Sequence, residues 1–406
     1  SHQRPALHGV GGPRLVERAE EDPPMRSIEI LERLIAFPTV SRDPNRALID
    51  YAADLLTAIG ADVTILPDES GGKANLFATI GPAGRPAVML SGHTDVVPVE
   101  GQAWTVDPFR LTRRDGRLYG RGTADMKGFV AASLAAAEQA AKRDLATPLQ
   151  IALSFDEEIG CVGVKSLVDM VAAAPVRPAF CIVGEPTALA VATGHKGKTG
   201  LRTVAKGREG HSALAPMALN AIHLATDLIG AIRAKQAEIE ASGARDGDYD
   251  VPYTTLHVGK LEAGVALNIV PNRAEMLWEI RNLADDDPLA ILAELETAAA
   301  EIVAATGDGD AALESEIFNA YPGLATPPDA AVTAFVKSLT GANGTIKVAF
   351  GTEGGLFSAE AGVPTVVCGP GSMAQGHKPD EYVEEAQLEA CDAMLGRLID
   401  RLAEGI

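Results

Sequence analysis

The stretch Pro86-Ala-Val-Met-Leu-Ser-Gly-His-Thr-Asp-Val-Val-Pro-Val99 decides the fold class. Its apolar first half predicts a buried strand of a parallel sheet. His93 and Asp95 follow two apart, so while the chain stays extended they face the same way. Asp95 can then accept the ring N–H of His93 and leave the other nitrogen free for a metal. Taken alone, a His-x-Asp pair reads equally well as a satisfied loop contact.

Other apolar runs end in the same manner. Leu149–Phe155 runs into Asp156-Glu157-Glu158, and Phe180–Val183 into Gly184-Glu185-Pro186. Val363–Cys368 leads through Gly-Pro-Gly to His377, and Asp125 lies in Gly120-Arg-Gly-Thr-Ala-Asp-Met-Lys-Gly128 just before a helical pattern at Phe129–Gln139. In an open α/β sheet, ligands bind in the crevice beyond the carboxyl ends of the strands. Packing gives no reason to gather so many carboxylates there, whereas two or more divalent cations would remove their repulsion. The alternative is a set of acidic loops that never meet.

Together these segments resemble the di-zinc metallopeptidase and deacylase superfamily. The resemblance rests on Gly92-His-Thr-Asp-Val-Val-Pro98, the Gly120–Gly128 motif, Asp156-Glu-Glu158, Gly184-Glu-Pro-Thr187, Gly207-Arg-Glu-Gly-His-Ser-Ala213 and His377. It runs from about residue 25 to the C-terminus. That superfamily includes acetylornithine deacetylases, succinyl-diaminopimelate desuccinylases, aminoacylases and glutamate carboxypeptidases. Phe350–Phe357, Cys368–Ser372 and Gly376–Tyr382 look most like the acetylornithine deacetylase branch.

The resemblance implies two Zn2+ ions, with Co2+ or Mn2+ as substitutes. Asp125 would bridge them, His93 and Glu185 would complete one site, and Glu158 and His377 the other. Glu157 would be the general base, Asp95 would orient His93, and His211 would donate to the oxyanion from the partner subunit of a homodimer. Arg281 and Asn268 each end a lid strand, which makes them candidates for the substrate carboxylate and amide; as residues they read equally as a surface salt bridge and a turn cap. Thr352, Gly354 and neighbouring glycines resemble an anion cradle. Glu353 would face the ammonium group of ornithine, and Lys196 remains a second partner for a carboxylate. His195, His223 and His257 read as structural or exposed.

The expected activity is therefore hydrolysis of N2-acetyl-L-ornithine in arginine biosynthesis. Desuccinylase, aminoacylase or dipeptidase chemistry is the alternative within the superfamily. A non-catalytic amino-acid-binding relative is the alternative outside enzymes. No metal or base position departs from the pattern.

A chain of 406 residues, 47% hydrophobic, can bury more than one core. A formal charge of −20 argues against nucleic acid and anionic membranes as partners. The four cysteines lack close pairing, which fits reduced thiols and a cytoplasmic location. Cys161 reads as core, although its closeness to Glu157 in sequence could bring it to the site.

Helices alternate with strands as far as Glu185, which predicts a doubly wound α/β catalytic domain with a mostly parallel sheet. After Pro186 the pattern changes to a strand at Leu201–Ala205, a helix at Pro216–Ile239, strands at Thr254–Leu261, Val265–Val270 and Arg273–Ile280, and a helix at Pro288–Ala305. That is an inserted α+β layer, which the resemblance implies to be a lid and dimerisation domain. The expected bounds are 25–186 with 306–406 for the catalytic domain and 187–305 for the lid. Residues 1–24, rich in Pro, Arg, Glu and Gly, read as a flexible extension or expression remnant.

Overall fold

Along the strand Val88–His93, Val88 and Leu90 enter one core while Met89 enters another. The neighbours divide the same way: Ile151 and Ile182 to the first core, Ala152, Cys181 and Val183 to the second. This is the two-residue period of a strand buried on both faces. The first face carries helices Arg26–Ile35, Arg46–Ala58, Gly128–Ala140, Ala331–Thr340 and Glu385–Glu404; the second carries Lys165–Ala173 and Gly354–Ala359. This architecture is seen in a computed structural model that describes residues 25–406. The expected N-terminal extension lies outside the described residues.

The sheet between those layers has nine strands among the described residues. From one edge they run Asp62–Pro67, Ala74–Ile80, Leu149–Ser154, Val88–His93, Phe180–Val183, Thr365–Val367, Ala192–His195 and Leu324–Ala325, with Ile346–Val348 also on Ala192–His195. Its centre, from Leu149–Ser154 to Thr365–Val367, is parallel, and antiparallel pairs close both sides. The fold is thus a doubly wound α/β body with a mostly parallel central sheet and an inserted α+β layer, as the sequence pattern predicts.

In the inserted layer, Lys198–Lys206, Thr255–Ala263, Arg273–Arg281 and Ala312–Tyr321 form an antiparallel sheet. Leu228, Ile232, Leu292 and Leu295 of helices Ala221–Ser242 and Pro288–Thr306 pack on its Leu201, Met276, Trp278 and Ile280. This sheet spans Lys198 to Tyr321, so it starts later and ends later than the bounds 187–305. Ala192–His195 belongs to the large sheet, and Ala312–Tyr321 pairs with Lys198–Lys206. Two further elements differ from expectation. The long helix begins after Asn220, whose side chain accepts the Ile222 N–H at 2.8 Å, because Ser212–Met217 with Pro216 forms a separate 3-10 turn. Only Ile269–Val270 of the stretch 265–270 is a strand, paired with Gly210–His211.

Candidate metal centre

Each predicted ligand stands where a strand or a Gly-rich turn ends. His93 is the last residue of its strand, Glu157 and Glu158 follow Leu149–Ser154, and Glu185 follows Phe180–Val183. Asp125 sits in the kinked turn Thr123–Lys127, where its own backbone is extended. His377 adopts the left-handed region at φ 63°. Its position between Gly376 and Lys378 has no regular secondary structure.

The groups converge. His93 Nε2 lies 3.0 Å from Asp125 Oδ1, 3.4 Å from Glu185 Oε1 and 3.7 Å from Glu157 Oε2. His377 Nε2 lies 3.0 Å from Asp125 Oδ2 and 3.1 Å from Glu158. The two oxygens of Asp125 therefore address two different imidazoles. His93, Glu157 and Glu185 bring their ligand atoms within 4.8 Å of one another, as do His93, Asp125 and Glu158.

Asp95 does more than its sequence position suggests. The Nδ1–H of His93 points to the main-chain carbonyl of Asp95 at 2.9 Å and to its carboxylate at 3.3 Å, which leaves Nε2 as the free nitrogen. The Asp95 carboxylate also accepts the backbone N–H groups of Glu157 and Glu158 at 3.0 and 3.2 Å, and the Ser41 hydroxyl at 2.6 Å. One buried acid thus orients His93 and the turn that carries the two glutamates.

The electrostatics fit cations. Burial foremost, then the Asp125 charge, pushes Glu158 up to about 8 and Glu185 up to about 7. Glu157 is raised well above the carboxylate range, by burial first, with Glu185 and Glu158 adding and His93 opposing. Burial would lower His93, but the charges of Glu157 and Glu185 raise it well above its ordinary value. Hydrogen bonds to Asp125 and Glu158 push His377 up to about 10. Burial works against ionisation of Asp125, but His377 and His93 hold it far below the usual range. Such a cluster holds protons to limit its own repulsion. Divalent cations of the borderline-hard kind served by imidazole and carboxylate would replace those protons. The donor set therefore fits a pair of metal ions.

A cavity of about 370 Å³ opens over these residues. Lys198, Arg281 and Tyr321 of the inserted layer line it, with Gly160, Cys161, Phe350, Gly351 and Met373 of the body. Arg281 Nη1 donates to Tyr321 Oη at 3.0 Å and its Nε to Glu279 at 2.9 Å. Tyr321 and Lys198 carry no signal in the sequence; the pairing of Tyr321 with Lys198 across two strands brings them there. Cys161 belongs both to the core and to the cavity wall, its Sγ 3.8 Å from Glu157 Oε1.

Several predicted substrate residues do not reach this cavity. Glu353 is 1% exposed and accepts the Ser154 hydroxyl, and burial pushes it up to about 7. It cannot face an ammonium group in the cavity. Thr352 is buried and its hydroxyl accepts the Gly354 N–H at 2.9 Å, so that amide is not free for an anion. Phe350 and Gly351 line the wall instead, because the loop turns Thr352 and Glu353 inward. The Lys196 ammonium donates to the Tyr253 carbonyl, away from the cavity. His211 and Asn268 are exposed on the inserted layer, their segments joined by the Ser212 N–H to the Asn268 carbonyl at 3.0 Å. His195 is buried, and His223 and His257 are exposed.

No helix among the described residues is long and apolar enough to cross a membrane. Over residues 89–401 the chain matches Peptidase family M20/M25/M40. It is 34% identical over 383 residues to an acetylornithine deacetylase of Proteus mirabilis, covering 92% of this chain and 96% of the relative. It is 36% identical over 382 residues to an acetylornithine deacetylase of Myxococcus xanthus, covering 92% and 97%. Among solved structures, the M20 family metallo-carboxypeptidase Sso-CP2 of Sulfolobus solfataricus superposes with a TM-score of 0.72 at 19% identity, covering 93% of this chain and 99% of that one. A dinuclear metal-binding M20 peptidase of Bacillus subtilis gives 0.66 at 16%, covering 94% and 98%.

Proposed function

The chain belongs to Peptidase family M20/M25/M40 and is a hydrolase of amide bonds, and from that premise we propose that it removes the acetyl group of N2-acetyl-L-ornithine with two zinc ions. The observation that carries the two-ion reading is Asp125, with one carboxylate oxygen 3.0 Å from His93 and the other 3.0 Å from His377. His93 and Glu185 would complete one site, Glu158 and His377 the other. The proposed substrate rests on the acetylornithine deacetylases that share about a third of their residues with this chain.

When bound, the two ions supply the positive charge that polarises the scissile carbonyl and eases deprotonation of the attacking water. Glu157 takes that proton at its carboxylate and delivers it to the leaving amine nitrogen. Its backbone is held by Asp95, and burial raises its affinity for a proton, which suits a carboxylate that must take one up and pass it on. Arg281 would hold the substrate carboxylate from the far wall of the cavity. His211 would donate to the oxyanion: its Nδ1 accepts the Ala213 N–H at 3.0 Å, so the proton lies on Nε2. Because His211 does not line the cavity of its own chain, we assign that role across a homodimer. Four free, buried cysteines support a reducing, cytoplasmic setting.

A second reading has its own observation. Outside the metal cluster, the charged residues that line the cavity are Lys198 and Arg281, with no acid among them. Such a wall suits a substrate with a second carboxylate, as in N-succinyl-diaminopimelate. Turnover of N-acetyl-ornithine, N-succinyl-diaminopimelate, N-acetyl-methionine and a dipeptide by zinc-loaded protein decides between them. The highest kcat/KM on N-acetyl-ornithine supports the first reading, and a clear preference for the succinyl substrate replaces it.

A further inference from the structure

Arg121 is fully buried and Glu381 is 1% exposed, and they form an ion pair, Nη1 to Oε2 at 2.8 Å. Burying two charges is expensive, and a hydrophobic pair of similar volume would stabilise a fold at least as well. The pair therefore calls for a reason other than stability.

Its contacts supply one. The second oxygen of Glu381 accepts the backbone N–H of Ala124 at 3.1 Å and of Asp125 itself at 3.0 Å. The Glu381 carbonyl also accepts the Gly120 N–H at 2.9 Å. Arg121 donates to the carbonyls of Lys378 at 3.1 Å and Pro98 at 3.2 Å, and to the side-chain oxygen of Gln102. Gln102 in turn donates its Nε2–H to the carbonyl of His377 at 2.7 Å. The Trp104 ring covers the guanidinium at 5.0 Å. One charge pair thus reaches the main chain of Asp125 on one side and of His377 on the other.

His93 pairs with Ser154 in the ladder of the central sheet, and Glu185 follows directly on Gly184, whose N–H donates to the Ser91 carbonyl at 3.0 Å, so the sheet places both. Asp125 and His377 lie in a kinked turn and a left-handed loop position, without that support. We infer that Arg121, Glu381 and Gln102 are positioning residues that set the separation of Asp125 and His377, and so determine the affinity of the cation site that His377 completes. The inference rests on the two-ion reading above. Partners of this outer kind typically change metal affinity by 10–100-fold.

Zinc titration of the metal-depleted protein against a competing chelator, with elemental analysis, reads both sites. Wild-type protein is expected to take up two ions. Gln102→Ala and Gln102→Glu should keep one ion at wild-type affinity and bind the other about 10–100-fold more weakly. Gln102→Glu keeps an acceptor for Arg121 but lacks the donor to His377, and its added negative charge would by itself favour a cation. A loss in that variant therefore reports position rather than charge. Glu381→Gln should weaken the same ion. If Glu381→Gln fails to fold, the two Gln102 variants, on a partly exposed loop, decide the matter. Wild-type affinity for both ions in the Gln102 variants overturns the inference. So does an equal weakening of both ions with a lower melting temperature of the metal-free protein, which marks a merely structural role. Wild-type protein that binds fewer than two ions overturns the two-ion reading itself.

Discussion

Replacing His211 by alanine tests how the two layers cooperate. His211 lies on the short strand Gly210–His211, exposed, among the exposed apolar side chains Leu214, Met217, Val265 and Leu267. The ring carries its proton on Nε2 because Nδ1 accepts from Ala213, so it is ready to donate. Losing one oxyanion donor costs about 2.7–4 kcal/mol of transition-state stabilisation, or 10²–10³ in kcat. The proposed metal ligands lie on the other layer, so His211→Ala should retain both ions and its melting temperature. Mixing it with inactive Glu157→Ala then locates the donor. If dimers exchange at random, about half are mixed, and each mixed dimer has one complete site of two, so about a quarter of wild-type turnover should return. Differently tagged subunits prove the exchange. Mixed dimers that stay inactive would refute action across the interface, and a near-wild-type rate for His211→Ala alone would refute the donor role.

Glu157→Gln keeps the side-chain volume and the backbone hydrogen bond to Asp95. It should bind two ions and lose about 10²–10⁴ in turnover; elemental analysis beside kinetics checks it, and a rate near wild type would remove Glu157 as the base. Metal removal should make stability depend on pH. Glu158 near 8, Glu185 near 7, the raised Glu157 and His93, and His377 near 10 all hold protons in the folded chain that the unfolded chain has released. The folded metal-free protein binds more protons than the unfolded one, so its stability is fullest in acid and falls as pH rises through those values. Its melting temperature should drop between about pH 6 and 9 while that of the zinc-loaded protein changes less; a metal-free melting temperature that rises over that span contradicts the assignment. Asp125, lowered instead, acts only below its ordinary range. Glu353→Ala leaves the Ser154 hydroxyl without its buried partner and should destabilise by about 1–3 kcal/mol. Its preference among cationic and neutral N-acetyl amino acids should not change, and a selective loss of the cationic substrate would restore Glu353 to the substrate site.

The candidate ligands were legible as candidates because each follows a local rule. An apolar run marks a buried strand, and His93, Glu157, Glu158 and Glu185 stand at or just past the carboxyl end of one, where an α/β sheet opens its crevice. Asp125 and His377 sit in Gly-rich stretches whose composition announces irregular backbone. The alternation of Val88, Met89 and Leu90 between two cores was equally implied by a continuous apolar run. Which way a loop turns its side chains was not. Thr352 and Glu353 looked as available as Phe350 and Gly351, and only packing under Ser154 sent the first pair inward. Arg121 and Glu381, 260 positions apart, meet through no pattern that either neighbourhood contains. The cavity wall formed by Lys198, Arg281 and Tyr321 depends on strand register between distant segments. Local sequence determines backbone propensity and periodic burial, because these depend on neighbours within a few residues. Which charges face one another across a turn depends on non-local contacts, and those exist only once the chain has packed.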